Sequence, residues 1–222
     1  MLLIFVSSIM RTILNKFFLL LLPLTLSAQE NDFQTWASLS VSKKIIKKTD
    51  LVIKQGMRCR ENSTLKSKLF TDIRIKRKYN KHFFYAAGYR FSNDWNKHLN
   101  LSQRNRFYVD IYFRDKCKKR FLVSMRARWQ KQGNCQGYSS AVRHKSALAY
   151  NIKKTKLEPS IALEYFLYLE TKVIEKMRYT LGIAHPITKS LDAEIAYRIQ
   201  QEFYTNNPET LFIFEGKLSY DF

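Results

Sequence analysis

From Phe33 to the carboxy terminus, apolar and polar side chains alternate with a period of two, the pattern of strands whose two faces meet different surroundings. The last segment shows it most clearly. Phe212, Phe214, Gly216, Leu218, Tyr220 and Phe222 share one face, and Ile213, Glu215, Lys217, Ser219 and Asp221 take the other. Further upstream, Phe107, Val109, Ile111 and Phe113 oppose Arg104, Arg106, Tyr108, Asp110, Tyr112 and Arg114. Phe121, Val123, Met125, Ala127 and Trp129 likewise oppose Ser124, Arg126, Arg128 and Gln130. The alternation predicts eleven strands, at about 33–45, 49–61, 67–78, 82–92, 99–114, 119–131, 138–152, 157–169, 173–186, 190–203 and 210–222, parted by polar turns and with no convincing helix.

Alternation over this many long segments predicts an all-β fold, an antiparallel up-and-down transmembrane β-barrel of about 10–12 strands, each crossing hydrocarbon at a tilt with one face to lipid. Soluble sheets use shorter strands. Arg or Lys on a lipid face at the midplane costs about 2–4 kcal/mol, and the mid-strand bases fall on the charged face, with Arg77 an exception at a strand end. Trp36, Tyr79, Phe83, Trp129, Tyr138 and Phe222 are placed to form aromatic girdles at the two interfaces. Bacterial single-chain barrels have an even number of strands. The expectation is therefore a ten-stranded wall over 49–222 with 33–45 inside it or at its rim, or else a twelfth strand. Alternation is equally compatible with a soluble periplasmic ligand-binding barrel whose apolar faces turn inward.

The amino-terminal residues change the cellular setting. Arg11 and Lys16 precede the apolar run 17–26, followed by Ser27-Ala28-Gln29, as in a secretory signal peptide. A run of ten residues falls short of the roughly 20 that a spanning helix needs. The expected organisation is a leader at 1–28, with Met10 as an alternative start, and one barrel domain at 29–222. The chain carries +21 in full and +19 without the leader's two bases. Such a balance fits nucleic acid, anionic membrane surfaces or acidic ligands. Export and the even spread of the bases argue against nucleic acid. Cys59, Cys117 and Cys135, an odd and widely spaced set, predict no disulfide framework.

Charge also distinguishes the connections. Those at 43–48, 77–81, 116–120, 153–156 and Lys189 are basic, whereas those at 62–66, 92–97, 132–137, 171–175 and 205–209 are neutral or mixed. With Phe222 at the periplasmic end, the basic set forms a periplasmic rim suited to phospholipid headgroups.

The charged faces define the candidate site, a lumen collecting Arg58, Arg74, Arg90, Arg104, Arg106, Asp110, Arg126, Arg128, Arg143, Glu164, Arg178, Glu194 and Arg198. In a barrel this narrow, bidentate Arg–carboxylate pairs are expected to meet across the interior and plug it. The excess of bases also fits an anion-preferring pore. The function expected is structural or that of a small pore, without enzymatic activity, cofactor or metal. An enzymatic alternative rests on His144-Lys145-Ser146, because some outer-membrane barrels are lipid hydrolases with a His-x-Ser pair on a lipid-facing strand. Residues i and i+2 share a face, which lets imidazole activate hydroxyl. Ala147-Leu148-Ala149-Tyr150 follows in place of those enzymes' Gly- and Asn-containing stretch.

Phe33-Gln34-Thr35-Trp36, Gly88-Tyr89-Arg90, Arg104-Asn105-Arg106, Arg126-Ala127-Arg128 and Tyr220-Asp221-Phe222 together resemble the domain-of-unknown-function 2490 family. The resemblance implies an exported protein of a Gram-negative bacterium and an outer-membrane barrel; it supplies no activity or ligand. The closing strand is similar to the signal read by barrel-assembly machinery, so that machinery and outer-membrane lipids are the expected partners.

Overall fold

The computed structural model describes residues 30–117 and 120–222. The expected leader at 1–28, its alternative start Met10, and Lys118 and Lys119 of one basic turn lie outside the described residues.

Eleven strands form among the described residues: β1 (Glu30–Ile46), β2 (Thr49–Arg60), β3 (Leu65–Lys78), β4 (Phe83–Trp95), β5 (Leu101–Cys117), β6 (Phe121–Asn134), β7 (Gly137–Tyr150), β8 (Glu158–Tyr168), β9 (Ile174–Pro186), β10 (Leu191–Glu202) and β11 (Glu209–Asp221). Each pairs antiparallel with its neighbours in sequence, and β1 closes the barrel against β11. The expectation of a ten-stranded wall with 33–45 set apart, or of a twelfth strand, is therefore corrected. β1 is part of the wall. It pairs from Thr35↔Cys59 to Ile46↔Thr49 through the tight turn at 47–48, where Lys48 takes a left-handed φ of 66°.

An odd count forces the closing pair to run parallel. Ser40 Oγ lies 2.9 Å from Ser219 Oγ, and the amide of Phe222 donates to the carbonyl of Ser42 at 2.8 Å, so both strands advance in the same direction. Closure removes the two sheet edges with their unpaired N–H and C=O groups. That gain outweighs the slightly weaker pairing of a parallel ladder.

The phase of every strand sends charge inward and apolar bulk outward. On β5, Asp110 is 0 % and Tyr108 2 % exposed, while Phe107, Val109 and Ile111 between and beside them are 51, 49 and 47 % exposed. The same alternation runs through β8, where Glu164 and Phe166 are buried and Ile161 and Leu163 are exposed. This is the reverse of the arrangement a soluble barrel with an apolar interior requires. Lys131 and Arg77, the outward-phased bases of β6 and β3, sit near strand ends.

Aromatic rings gather at the Phe222 end: Tyr79 against Tyr85, Phe83 against Phe113, Phe121 against Tyr150, and Tyr220 against Phe222 at 4.7 Å. Tyr79, Phe83, Tyr138 and Phe222 are exposed as girdle residues must be; Trp129 is exposed but stands beside Val109 at the middle of β5, which corrects its place in a girdle, and Trp36 is buried. Its side chain points into the lumen at 5 % exposure, in phase with Gln34, because β1 turns its even positions inward.

Two glycines make room for aromatic rings inside. Gly56 is the cross-strand partner of Phe70, and Gly88 that of Tyr108. A Cβ at either position would fall within the partner's ring, so only glycine lets the ring lie flat on the wall.

Candidate functional site

The lumen's charges are ordered by register. Asp72 stands directly opposite Arg90, Asp110 opposite Arg128, Glu164 opposite Arg178, Lys68 opposite Asp94, Lys176 opposite Glu202, and Glu194 opposite Lys217. Direct partners have Cβ atoms about 4.5–5.5 Å apart, within easy reach of an ion pair. The strongest is Asp110, whose two oxygens accept from Arg128 Nε at 2.6 Å and a terminal nitrogen at 2.7 Å, with Tyr112 adding a hydroxyl at 2.6 Å. Asp72 accepts from Arg90 Nε at 2.8 Å and from the Tyr108 hydroxyl at 2.6 Å. Lys68–Asp94, Lys176–Glu202 and Lys217–Glu194 each close at 2.6 Å.

Ion pairs thus form throughout the lumen. Most lie flat along the wall between adjacent strands, because the register partner is nearer than any residue opposite. What remains is a cavity of about 880 Å³ whose lining runs from Asn96 and Asn100, at the end away from Phe222, down to Arg74 and Ser219.

That cavity is not electrically balanced. Sixteen Lys and Arg side chains line it against five Asp and Glu. Glu164 alone serves three guanidiniums: Arg126, Arg143 at 2.8 Å and Arg178 at 3.1 Å. Arg198 pairs with Glu215, which Lys217 also approaches at 3.5 Å. Arg74 donates to the Tyr112 hydroxyl at 3.2 Å and Arg106 to the Gln132 amide oxygen at 2.9 Å, neutral acceptors both. Arg58, Lys54 and Lys145 have no ion pair among the described residues.

Aromatic faces back several of these guanidiniums. Arg58 stacks on Trp36 at 3.6 Å, Arg128 on Tyr108 at 3.7 Å, Arg90 on Phe70 at 4.1 Å and Arg143 on Phe166 at 4.3 Å. The ring quadrupole attracts a cation above its face, so Arg58 is steadied where no carboxylate reaches it, while Arg128, Arg90 and Arg143 gain a ring face beside the carboxylate each already has.

Of the thirteen residues expected in the lumen, all take the inward phase, and all but Asp110 and Glu194 line the cavity. Asp110 is buried behind Arg128, and Glu194 is engaged by Lys217. Sequence reasoning missed Lys68, Asp94, Lys176 and Lys217, together with the aromatic lining Trp36, Phe70 and Phe166. Each shares the parity of a lumen residue in its own strand, which was the available signal.

His144 and Ser146 occupy the outward face of β7, and His144 Nε2 lies 3.0 Å from Ser146 Oγ. The imidazole packs against Tyr165 at 5.4 Å between ring centroids. Ser146 borders a shallow outer depression walled by Leu148, Ile161, Leu163, Tyr179, Leu181 and Tyr197. The pair lies about halfway along β7.

Among known proteins, the family described as "Protein of unknown function (DUF2490)" matches residues 33–210. No curated protein matches the chain.

Proposed function

This chain belongs to the DUF2490 family of proteins of unknown function, and we propose that it is an outer-membrane barrel acting as a narrow, anion-selective passage. The observation that carries the reading is the imbalance of sixteen bases to five acids around an open cavity. Rings of like charge in a pore repel co-ions and concentrate counter-ions. The outward apolar faces and the aromatic cluster near Phe222 support a bilayer setting. With Phe222 periplasmic, the basic turns face the periplasm and meet lipid headgroups. Neutralising Lys116, Lys118, Lys119 and Arg120 together is expected to weaken association with anionic vesicles; unchanged association removes that role for this turn.

The purified, refolded protein in a planar bilayer tests the main reading. Discrete steps are expected, with a reversal potential under a salt gradient that reports anion preference and that shifts when Arg104 or Arg126 is replaced by Gln. Silence from protein shown to be folded by heat-modifiable gel mobility would refute the passage and leave a structural barrel.

A second reading, lipid hydrolysis, is favoured by the 3.0 Å contact between His144 and Ser146. Its position weighs against it, because mid-strand depth lacks the water that deacylation consumes and no acid or amide orients His144 among its described contacts. Two polar groups that satisfy one another in hydrocarbon explain the contact without catalysis. Phospholipid release by folded protein that is abolished in Ser146→Ala would reinstate the enzyme; equal traces of activity in both proteins would dismiss it.

A further inference from the structure

Three guanidiniums converge on one indole. Arg58 Cζ lies 3.6 Å, Arg178 Cζ 5.2 Å and Arg198 Cζ 6.0 Å from the ring centroid of Trp36. Trp36 and Arg58 are direct partners across β1 and β2, and all four residues line the same cavity. Arg58, whose face rests on the ring, keeps its N–H edge free, and that edge is the part that recognises paired oxygens; Arg178 is held beside it by Gln200 and Glu164 and contributes its charge.

The local carboxylates do not meet this demand. Arg178 shares Glu164 with two other arginines, Arg198 shares Glu215 with Lys217, and Arg58 has no ion pair among the described residues. Nor are the donors all used. The Nε groups of Arg143 and Arg198, on side chains only 8 and 7 % exposed, have no acceptor. Buried donors without acceptors are costly. Water would satisfy them but brings no charge, and chloride brings charge but no pair of oxygens to fit a forked donor. A small oxyanion of two or more charges does both.

We propose that the cluster of Arg58, Arg178 and Arg198 around Trp36 binds a small multivalent oxyanion, a phosphate ester or a polycarboxylate. The site rests on the reading of the lumen as an anion passage and adds a defined stop within it. The lumen, about 880 Å³ along its whole length, has room to admit such a solute.

Trp36 reports on its own site once Trp95 and Trp129 are replaced by Phe, since the chain has three tryptophans. Inorganic pyrophosphate and citrate are titrated separately into the folded mature barrel in detergent, with chloride holding ionic strength constant. A saturable change in Trp36 emission is expected, weakened at least tenfold in Arg58→Gln, and the tighter probe assigns phosphate or carboxylate chemistry. If Arg58→Gln fails to fold, Arg58→Lys, which keeps the charge and loses the forked edge, is read in its place. A non-saturating response, an equal response to chloride, or unchanged affinity in the variant overturns the site. Conductance separates this result from the passage itself. Anion-selective steps without saturable binding keep the passage and remove the site; saturable binding on a silent barrel keeps the site and removes the passage.

Discussion

Asp110 and Arg58 mark the two extremes of how a charge is held inside this wall. Asp110 is wholly buried and accepts three charge-assisted or hydroxyl hydrogen bonds. Truncating it in Asp110→Ala leaves the largely buried Arg128 without its carboxylate, and breaking such a pair costs about 3–5 kcal/mol. Reversible urea unfolding of the vesicle-inserted barrel is expected to show a loss of that order. Arg58 sits among like charges with only ring faces for company, so Arg58→Gln strands no anion and relieves repulsion. Its unfolding midpoint should match or exceed that of the parent protein. Gly88 works through shape rather than charge. In Gly88→Val the new side chain must displace Tyr108 from its 2.6 Å bond to Asp72. Overpacking of this kind costs about 1–3 kcal/mol, which the same unfolding assay would detect.

At the scale of the strand, the proposed membrane setting makes the outer face the decisive one. Val109, central on the outer face of β5, becomes a strong test when replaced by Arg, because a base there at bilayer mid-depth costs about 2–4 kcal/mol. The folded fraction in vesicles should fall for Val109→Arg and stay near that of the parent for Asp115→Arg, close to the strand end; equal behaviour of the two would argue against a membrane setting. Strands and faces were legible because a period of two survives any uncertainty in boundaries. β5 was expected at 99–114 and found at Leu101–Cys117, and every face assignment within it stood. The place of β1 was harder to read, since strand parity was inferred from what barrels generally do and not from the segment. Its own alternation set Gln34, Trp36, Ser38 and Ser40 on one face, a polar phase that already placed Trp36 indoors. Pairing was illegible for a different reason. Arg126 and Glu164 are 38 residues apart, on strands separated by β7, and only the accumulated registers of two hairpins bring them together.

For the whole molecule, the seam between β1 and β11 is the feature on which closure depends. Replacing Ser40 and Ser219 by Cys, in a chain whose three native cysteines are Ser, puts two thiols where hydroxyls now lie 2.9 Å apart. A disulfide should form on folding and alter gel mobility before heating. Failure to cross-link in folded protein would mean that β1 leaves the wall. The parity of the wall reaches further than the seam. A chain that crosses an even number of times returns to the side from which it set out, and both its ends share one compartment. Eleven crossings separate them. With Phe222 in the periplasm, Glu30 stands at the outer mouth, so a short epitope placed immediately before it should be labelled by antibody on intact cells, while the same epitope appended after Phe222 stays hidden until the envelope is opened. On the proposed orientation, the start of β1 opens at the cell surface, a destination that even-numbered barrels reserve for their loops.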